Sequence, residues 1–174
     1  ARWRGATARR RAAPPVRRGT MLLKETAAVR LLGLKIPVLL FLGPRVMRLD
    51  ERGCAVKIPF GWRSRNHVGS MYFGALCAGA DLAGGLPAAR LIWDRHRRVS
   101  LVFADLKAEF LKRADGDTLF TCDDGPAVAE AVRQADASGE RVTLPVHVVA
   151  TVPDKYGDEP VARFSLGLSL KRRA

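Results

Sequence analysis

The chain has 174 residues, 48% of them hydrophobic. That is enough apolar material for one packed domain and too little length for a TIM barrel or a two-domain kinase. Thirty Lys and Arg face 17 Asp and Glu, a net charge of +13, which taken alone points to a nucleic-acid or anionic-membrane partner.

The charge is unevenly placed. Residues 1–20 hold seven of the 30 basic residues and no acid, which leaves 23 basic against 17 acidic residues, +6, for residues 21–174. The first methionine is Met21. Residues 1–20 read as a disordered appendage, a leader or an over-extended start, with a basic nucleic-acid-binding arm as the alternative. They hold no apolar run, so they do not read as a secretory signal, and they match an organelle transit peptide in composition only. Residues 21–174 read as one domain. Cys54, Cys77 and Cys122 are odd in number and lack C-x-x-C spacing. They predict buried thiols in a reducing, cytoplasmic compartment. The apolar stretch 27–43 is broken by Arg30, Lys35 and Pro37, and its longest uncharged part, 36–44, is far below the roughly 20 residues of a membrane span.

In chain order, residues 22–34 carry Leu23, Ala27, Leu31 and Leu34 at helical steps. Pro37 disturbs that helix and Gly43-Pro44 ends the region. The helix is amphipathic and is expected to lie over something apolar, with membrane association as the sharper alternative. Residues 46–49 and 54–58 read as a hairpin around the turn Asp50-Glu51-Arg52-Gly53. Residues 59–69 read as a loop. Residues 70–86, with Asp81 their single charge, have the composition of a helix buried on every side. Ser70 is its expected N-cap, and Gly84-Gly85 with Pro87 its expected stop.

Period-two alternation then marks strands over 99–112, 118–123, 141–152 and 161–170. In the first, Val102, Ala104, Leu106, Ala108 and Phe110 share a face. A short helix is expected over 126–137, and residues 154–158 read as the turn joining the last two strands. One-sided alternation predicts antiparallel pairing. Only one helix is apolar enough to cover such a sheet. The expected class is therefore α+β, a curved antiparallel β-sheet wrapped around the central buried helix of residues 70–86.

That order resembles the hotdog fold. The block R-N-H-V-G-S-M-Y-F-G-A-L at residues 65–76, followed by A-D-L-A at 80–83, resembles the DUF4442 branch of the hotdog thioesterase superfamily. The run V-F-A-D-L-K-A-E-F-L-K-R-A at 102–114 resembles the same branch. The match spans roughly residues 22–172. The resemblance implies a protein that hydrolyses acyl-CoA or acyl-carrier-protein thioesters, or one that only binds an acyl group. It implies homodimers whose sheets join edge to edge, with sites at the interface, or a tetramer of these. No metal and no cofactor is implied, the CoA thioester being substrate or ligand.

Such chemistry needs a polarised carbonyl, a base or nucleophile, and an acyl slot. Backbone N–H groups at the start of a buried helix can hold an oxyanion, and Gly69 and Ser70 stand at the expected start. Asn66 can orient water or the carbonyl, and His67 can hydrogen-bond the thioester or act as a base. The structural alternatives are a turn glycine, a cap, a turn-forming Asn and a loop His. Asp81, alone on an apolar helix, is the carboxylate candidate, as general base or nucleophile, or else a structural carboxylate. Met71, Tyr72, Phe73, Leu76 and Phe103 are candidates for the acyl slot, or else ordinary core. Arg63, Arg65, Lys107, Lys112 and Arg113 are candidates for CoA phosphates, or else a solvated basic surface. In the phenylacetate-pathway thioesterases a His-Gly-Gly motif is followed by a carboxylate about two turns into the helix. Counted from Gly69 that place is Leu76, five residues before Asp81. On this reading Asp81 lies about 16 Å from Ser70 along the axis, too far for one carbonyl to touch both in one protomer.

P-loop, G-x-G-x-x-G and G-x-S-x-G motifs are absent, His67, His96 and His147 are too scattered to argue a metal site, and the basic run 95–98 reads as a solvated connection. Aromatics make up 7% and do not interleave with the basic residues as a stacking platform would.

Overall fold

The computed structural model describes residues 21–32, 34–94 and 97–173. The expectations for residues 1–20, and for Arg95 and His96, lie outside the described residues. The elements are α1 (Leu23–Leu32), α2 (Pro37–Leu42), β1 (Arg45–Leu49), β2 (Cys54–Ile58), α3 (Phe73–Asp94), β3 (Val99–Phe110), β4 (Thr118–Cys122), α4 (Gly125–Ser138), β5 (Val142–Thr151), α5 (Pro153–Tyr156) and β6 (Pro160–Arg172). All strand pairs are antiparallel, and the sheet order is β1-β2-β4-β5-β6-β3.

The expected architecture stands: a six-stranded antiparallel sheet packed on one long helix. Val146 and Val148 of β5 and Phe164, Leu166 and Leu168 of β6, all at even positions, are buried on the face that meets that helix. Small residues let sheet and helix meet closely. A Cβ on Gly79 would stand 2.4 Å from the Phe120 ring, and one on Gly84 3.2 Å from Val146. The same composition makes α3 the one described helix long and apolar enough to cross a membrane, yet two-thirds of that stretch is buried inside the domain. It is the core helix.

Two expectations for α3 fail. The helix starts at Phe73 instead of Ser70, and it runs through Gly84, Gly85 and Pro87 to Asp94. Local propensity disfavours this by about 1 kcal/mol per Gly and about 3 for Pro. Burial of Leu86, Ala88 and Ile92 beyond them offsets that cost. At the other end, residues 70–72 are held in extended bonds, Met71 N–H to Ala114 C=O (2.7 Å) and Tyr72 N–H to Ser64 C=O (2.7 Å).

The alternation in β3 is also interrupted. Phe103 pairs with Leu168 and Leu106 with Leu166, so Ala104 and Asp105 stand against Gly167 alone, a β-bulge. The side-chain parity flips there. Phe103, Leu106, Ala108 and Phe110 face the helix side, whereas Val102 pairs with Ser169 on the outer face. A side chain at position 167 would meet the Asp105 carboxylate at 3.1 Å.

At the opposite edge α1 covers β1: Leu22 N–H donates to Val46 C=O (2.8 Å) and the buried Thr26 hydroxyl accepts from Val46 N–H (3.0 Å). The region beyond Pro37, expected only as a disturbance, forms the short helix α2, closed by Gly43 in the left-handed conformation. Cys54 and Cys122 are fully buried, free, and directly opposite each other across β2 and β4.

Candidate functional site

The loop between β2 and α3 is tied down at both ends before it delivers the site residues. Phe60 N–H donates to Asp117 (2.9 Å), and the Ser64 hydroxyl donates to Pro59 C=O (2.8 Å). Its last part folds around Asn66. The Asn66 Oδ1 accepts from the N–H of Val68 and of Ser70, both at 3.1 Å, and its Nδ2 donates to the Ser70 hydroxyl at 3.1 Å. This is an Asx-type turn, and it leaves the Asn66 amide committed to the loop. Gly69 closes the turn at φ +75, its N–H donating to Asn66 C=O (3.2 Å), with open space where a Cβ would stand. Only glycine takes that conformation without strain.

Loop, helix start and the end of β3 enclose an open cleft of about 550 Å³. Asn66, His67, Ser70, Met71, Tyr72, Phe73 and Leu76 line one side, and Phe110, Leu111, Lys112, Arg113 and Ala114 the other. Its wall is apolar and uncovered: Phe73 is 59% and Phe110 53% exposed. The Tyr72 and Phe73 rings meet edge to face at 4.9 Å, and Phe110 meets buried Phe164 at 6.1 Å. His67 is exposed and forms no hydrogen bond with a described residue.

The free backbone donors differ from those expected. The N–H groups of Gly69 and Ser70 are both used inside the Asn66 turn. With the helix starting at Phe73, the Ala75 and Leu76 N–H groups bond to Tyr72 C=O (2.9 and 3.1 Å). The N–H groups of Phe73 and Gly74 have no partner among the described residues, and stand at the positive end of the helix dipole.

The later start also changes the place of Asp81. It stands eight residues, about 12 Å, past Phe73, a little over two turns. It is seven residues past Gly74, the interval that counting from Gly69 assigns to Leu76. The displacement expected from the sequence therefore vanishes once the helix start is known. Asp81 is half-buried on the side of α3 that also carries Gly74, Cys77 and Ala78. It has no hydrogen-bond or ion-pair partner among the described residues, and burial holds its carboxyl above the ordinary range. It does not line the cleft.

The remaining candidates divide. Lys112 lines the cleft, paired with Glu159 at 2.7 Å and seated over the Tyr156 ring at 4.5 Å. Arg113 lines it and is exposed. Lys107 pairs with Ser165 on the outer face of the sheet, away from the cleft. Arg63 reaches back to Gly43 at the end of α2, and Arg65 pairs with Met71 in an isolated bridge without lining the cleft. Phe103 packs on Gly84 and Gly85, farther along the seam between α3 and β3. Sequence reading missed Phe110, Leu111 and Ala114 as cleft residues. The apolar Phe110-Leu111 pair beside Lys112-Arg113 was its only available signal. Among the described residues no group of three His, Cys, Asp or Glu stands together as a metal site.

The family model described as "Domain of unknown function (DUF4442)" matches residues 25–168. Several solved structures share the architecture. A Pseudomonas aeruginosa protein of unknown function, described as a probable thioesterase, is 24% identical with a TM-score of 0.67, covering 89% of this chain and 100% of that one. A Chlorobaculum tepidum protein of unknown function is 11% identical with a TM-score of 0.74, covering 88% and 98%. A thioesterase from Haemophilus influenzae is 14% identical with a TM-score of 0.59, covering 83% and 90%. No curated protein matches the chain. At these identities the likeness to solved structures is one of fold, the hotdog fold, and it agrees with the family match over most of the chain. This chain belongs to the DUF4442 family of hotdog-fold proteins.

Proposed function

We propose that the protein hydrolyses an acyl thioester, of CoA or of an acyl-carrier protein, at a site completed by a second copy of the chain. The observation that carries this reading is Asp81. It is a carboxylate with no partner among the described residues, a little over two turns along the core helix from Phe73, which lines the apolar cleft. The thioesterase descriptions of similar structures support it.

The residues divide the work as follows. The thioester carbonyl oxygen rests on the N–H groups of Phe73 and Gly74, which stabilise the oxyanion as it forms. The Asp81 carboxylate takes a proton from water as the water oxygen attacks the carbonyl carbon. The carbon–sulfur bond breaks, the thiolate leaves and is protonated, and the carboxylic acid remains. Direct attack by Asp81, giving an anhydride that water then opens, uses the same groups. Asn66 holds the loop that presents His67, and His67 hydrogen-bonds the substrate. Tyr72, Phe73, Leu76 and Phe110 take the acyl chain. Arg113, with Lys112 beside it, meets the phosphates of CoA.

One protomer separates Asp81 from the helix start by about 12 Å, so one carbonyl cannot meet both in the same chain. A second copy resolves this. β3 ends the sheet with an unpaired edge, and its helix-side residues Leu106 and Phe110 are exposed. Edge-to-edge pairing of two β3 strands would bury them and bring one copy's Asp81 toward the other's cleft. The three free cysteines support a reducing, cytoplasmic setting.

A second reading, an acyl-binding module without turnover, is favoured by the commitment of the Asn66 amide to its own loop. Purified protein tested against acyl-CoAs of graded chain length, with free thiol as the readout, separates the two. Hydrolysis supports the enzyme. Tight binding without thiol release at any length supports the module.

A further inference from the structure

We propose that the α1–α2 face docks on an anionic lipid bilayer. The inference goes beyond the hydrolytic reading and stands without it. On this face Leu34, Ile36, Val38 and Phe41 are all exposed. In α2 the buried Leu39 and Leu42 point into the domain, so Val38 and Phe41, three residues apart, stand together on the outside. Trp62, 78% exposed, meets Phe41 edge to face at 5.5 Å. Two large rings in edge-to-face contact at the surface, beside exposed aliphatic side chains, form a patch in place of the singly scattered apolar residues of an ordinary surface.

Charge identifies the occupant. Lys35 precedes Ile36 in the chain, and the Arg63 guanidinium lies against the end of α2 at Gly43. Lys24 and Arg30 are exposed on α1, and Arg65 lies in the Trp62 loop. None of these five forms an ion pair with a described residue. The only acid in residues 22–45 is Glu25, and residues 59–68 hold none. Asp117, which accepts from Phe60 N–H in the Trp62 loop, is paired with Lys57 at 3.1 Å. Aromatic and aliphatic side chains rimmed by Lys and Arg suit insertion at the headgroup level of an anionic bilayer, the apolar side chains entering and the cations meeting phosphates. The docked face also carries the Trp62 loop, which continues to Asn66 and the cleft, so docking would set the cleft mouth near the lipid.

The test is flotation of the full chain with vesicles of phosphatidylcholine alone and of phosphatidylcholine mixed with phosphatidylglycerol, at low and high salt. The expected result is binding to the anionic vesicles that high salt releases. Phe41→Ala with Trp62→Ala should weaken it about tenfold or more, and Lys35→Gln and Arg63→Gln about fivefold each. Circular dichroism and Tm control for folding, which exposed substitutions should leave intact. Three results would overturn the proposal: equal binding to neutral and anionic vesicles, unchanged binding by the folded Phe41→Ala, Trp62→Ala variant, or no vesicle binding together with loss of a dimer in that variant. The last would assign the face to a second copy of the chain.

Discussion

The ring of Phe120 occupies the place where a side chain on Gly79 would begin: a Cβ there would lie 2.4 Å from two ring carbons. Phe120 is fully buried in β4 and cannot swing into solvent. Gly79→Ala would ordinarily favour a helix by about 1 kcal/mol. Here overpacking should win and destabilise the fold by about 1–3 kcal/mol, measured as a fall in the urea midpoint. Gly79→Ala combined with Phe120→Leu should recover part of the loss.

Asp81 carries a stability signature independent of catalysis. Burial raises its folded pKa above the unfolded value, so the folded state holds its proton more tightly. Stability contributed by that proton is present below the unfolded pKa and is lost as pH rises through the folded value. Asp81→Asn should therefore raise Tm at neutral pH, with the gain shrinking towards zero as pH falls below the ordinary carboxylate range. A Tm gain that does not vary with pH would contradict the unpartnered, half-buried placement.

The thiols should divide by burial. Cys54 and Cys122 are fully buried, and burial pushes the Cys122 thiol up to about 12 and Cys54 higher still. Cys77 is half-buried, its pKa raised by burial alone. In native protein at neutral pH an aromatic disulfide reagent should label at most one thiol, at Cys77, and three after denaturation. Native labelling at Cys54 or Cys122 would show that the β2–β4 pair opens.

Asn66 acts here as a positioning residue. Asn66→Ala removes an acceptor for two N–H groups and a donor to Ser70, and should cost about 1–2 kcal/mol of stability. Asn66→Asp keeps the acceptor and should restore most of it. In a turnover assay the Ala variant should lose kcat more than KM, and the Asp variant should recover it. Loss of kcat in both, with stability intact in Asp, would instead place the Asn66 amide on the substrate.

Strand alternation in β5 and β6 and the apolar helix between two sheet segments made the architecture legible from residues alone. The site was less so, because its geometry depends on where a helix starts. Ser70 resembles an N-cap, yet Met71 is drawn into a bond with Ala114, far along the chain, and Tyr72 into one with Ser64 across the preceding loop. That three-residue delay moves the free donors from Gly69 and Ser70 to Phe73 and Gly74, and it brings Asp81 to two turns from the helix start. The bulge at Ala104 and Asp105 was equally hidden, since an unbroken alternation puts Val102 on the face of Phe110. Phe110 and Leu111 joined the cleft through the sheet, a contact no local pattern announces.

Asp81 is the group on which the proposed hydrolysis depends, and its role is tested by thiol release from acyl-CoA by wild type and by Asp81→Asn. The wild type should hydrolyse at least one chain length. The variant should stay folded and bind the same substrate, with kcat lower by about a hundredfold or more, as expected for loss of a general base. Turnover by folded Asp81→Asn at the wild-type rate would contradict the proposed mechanism.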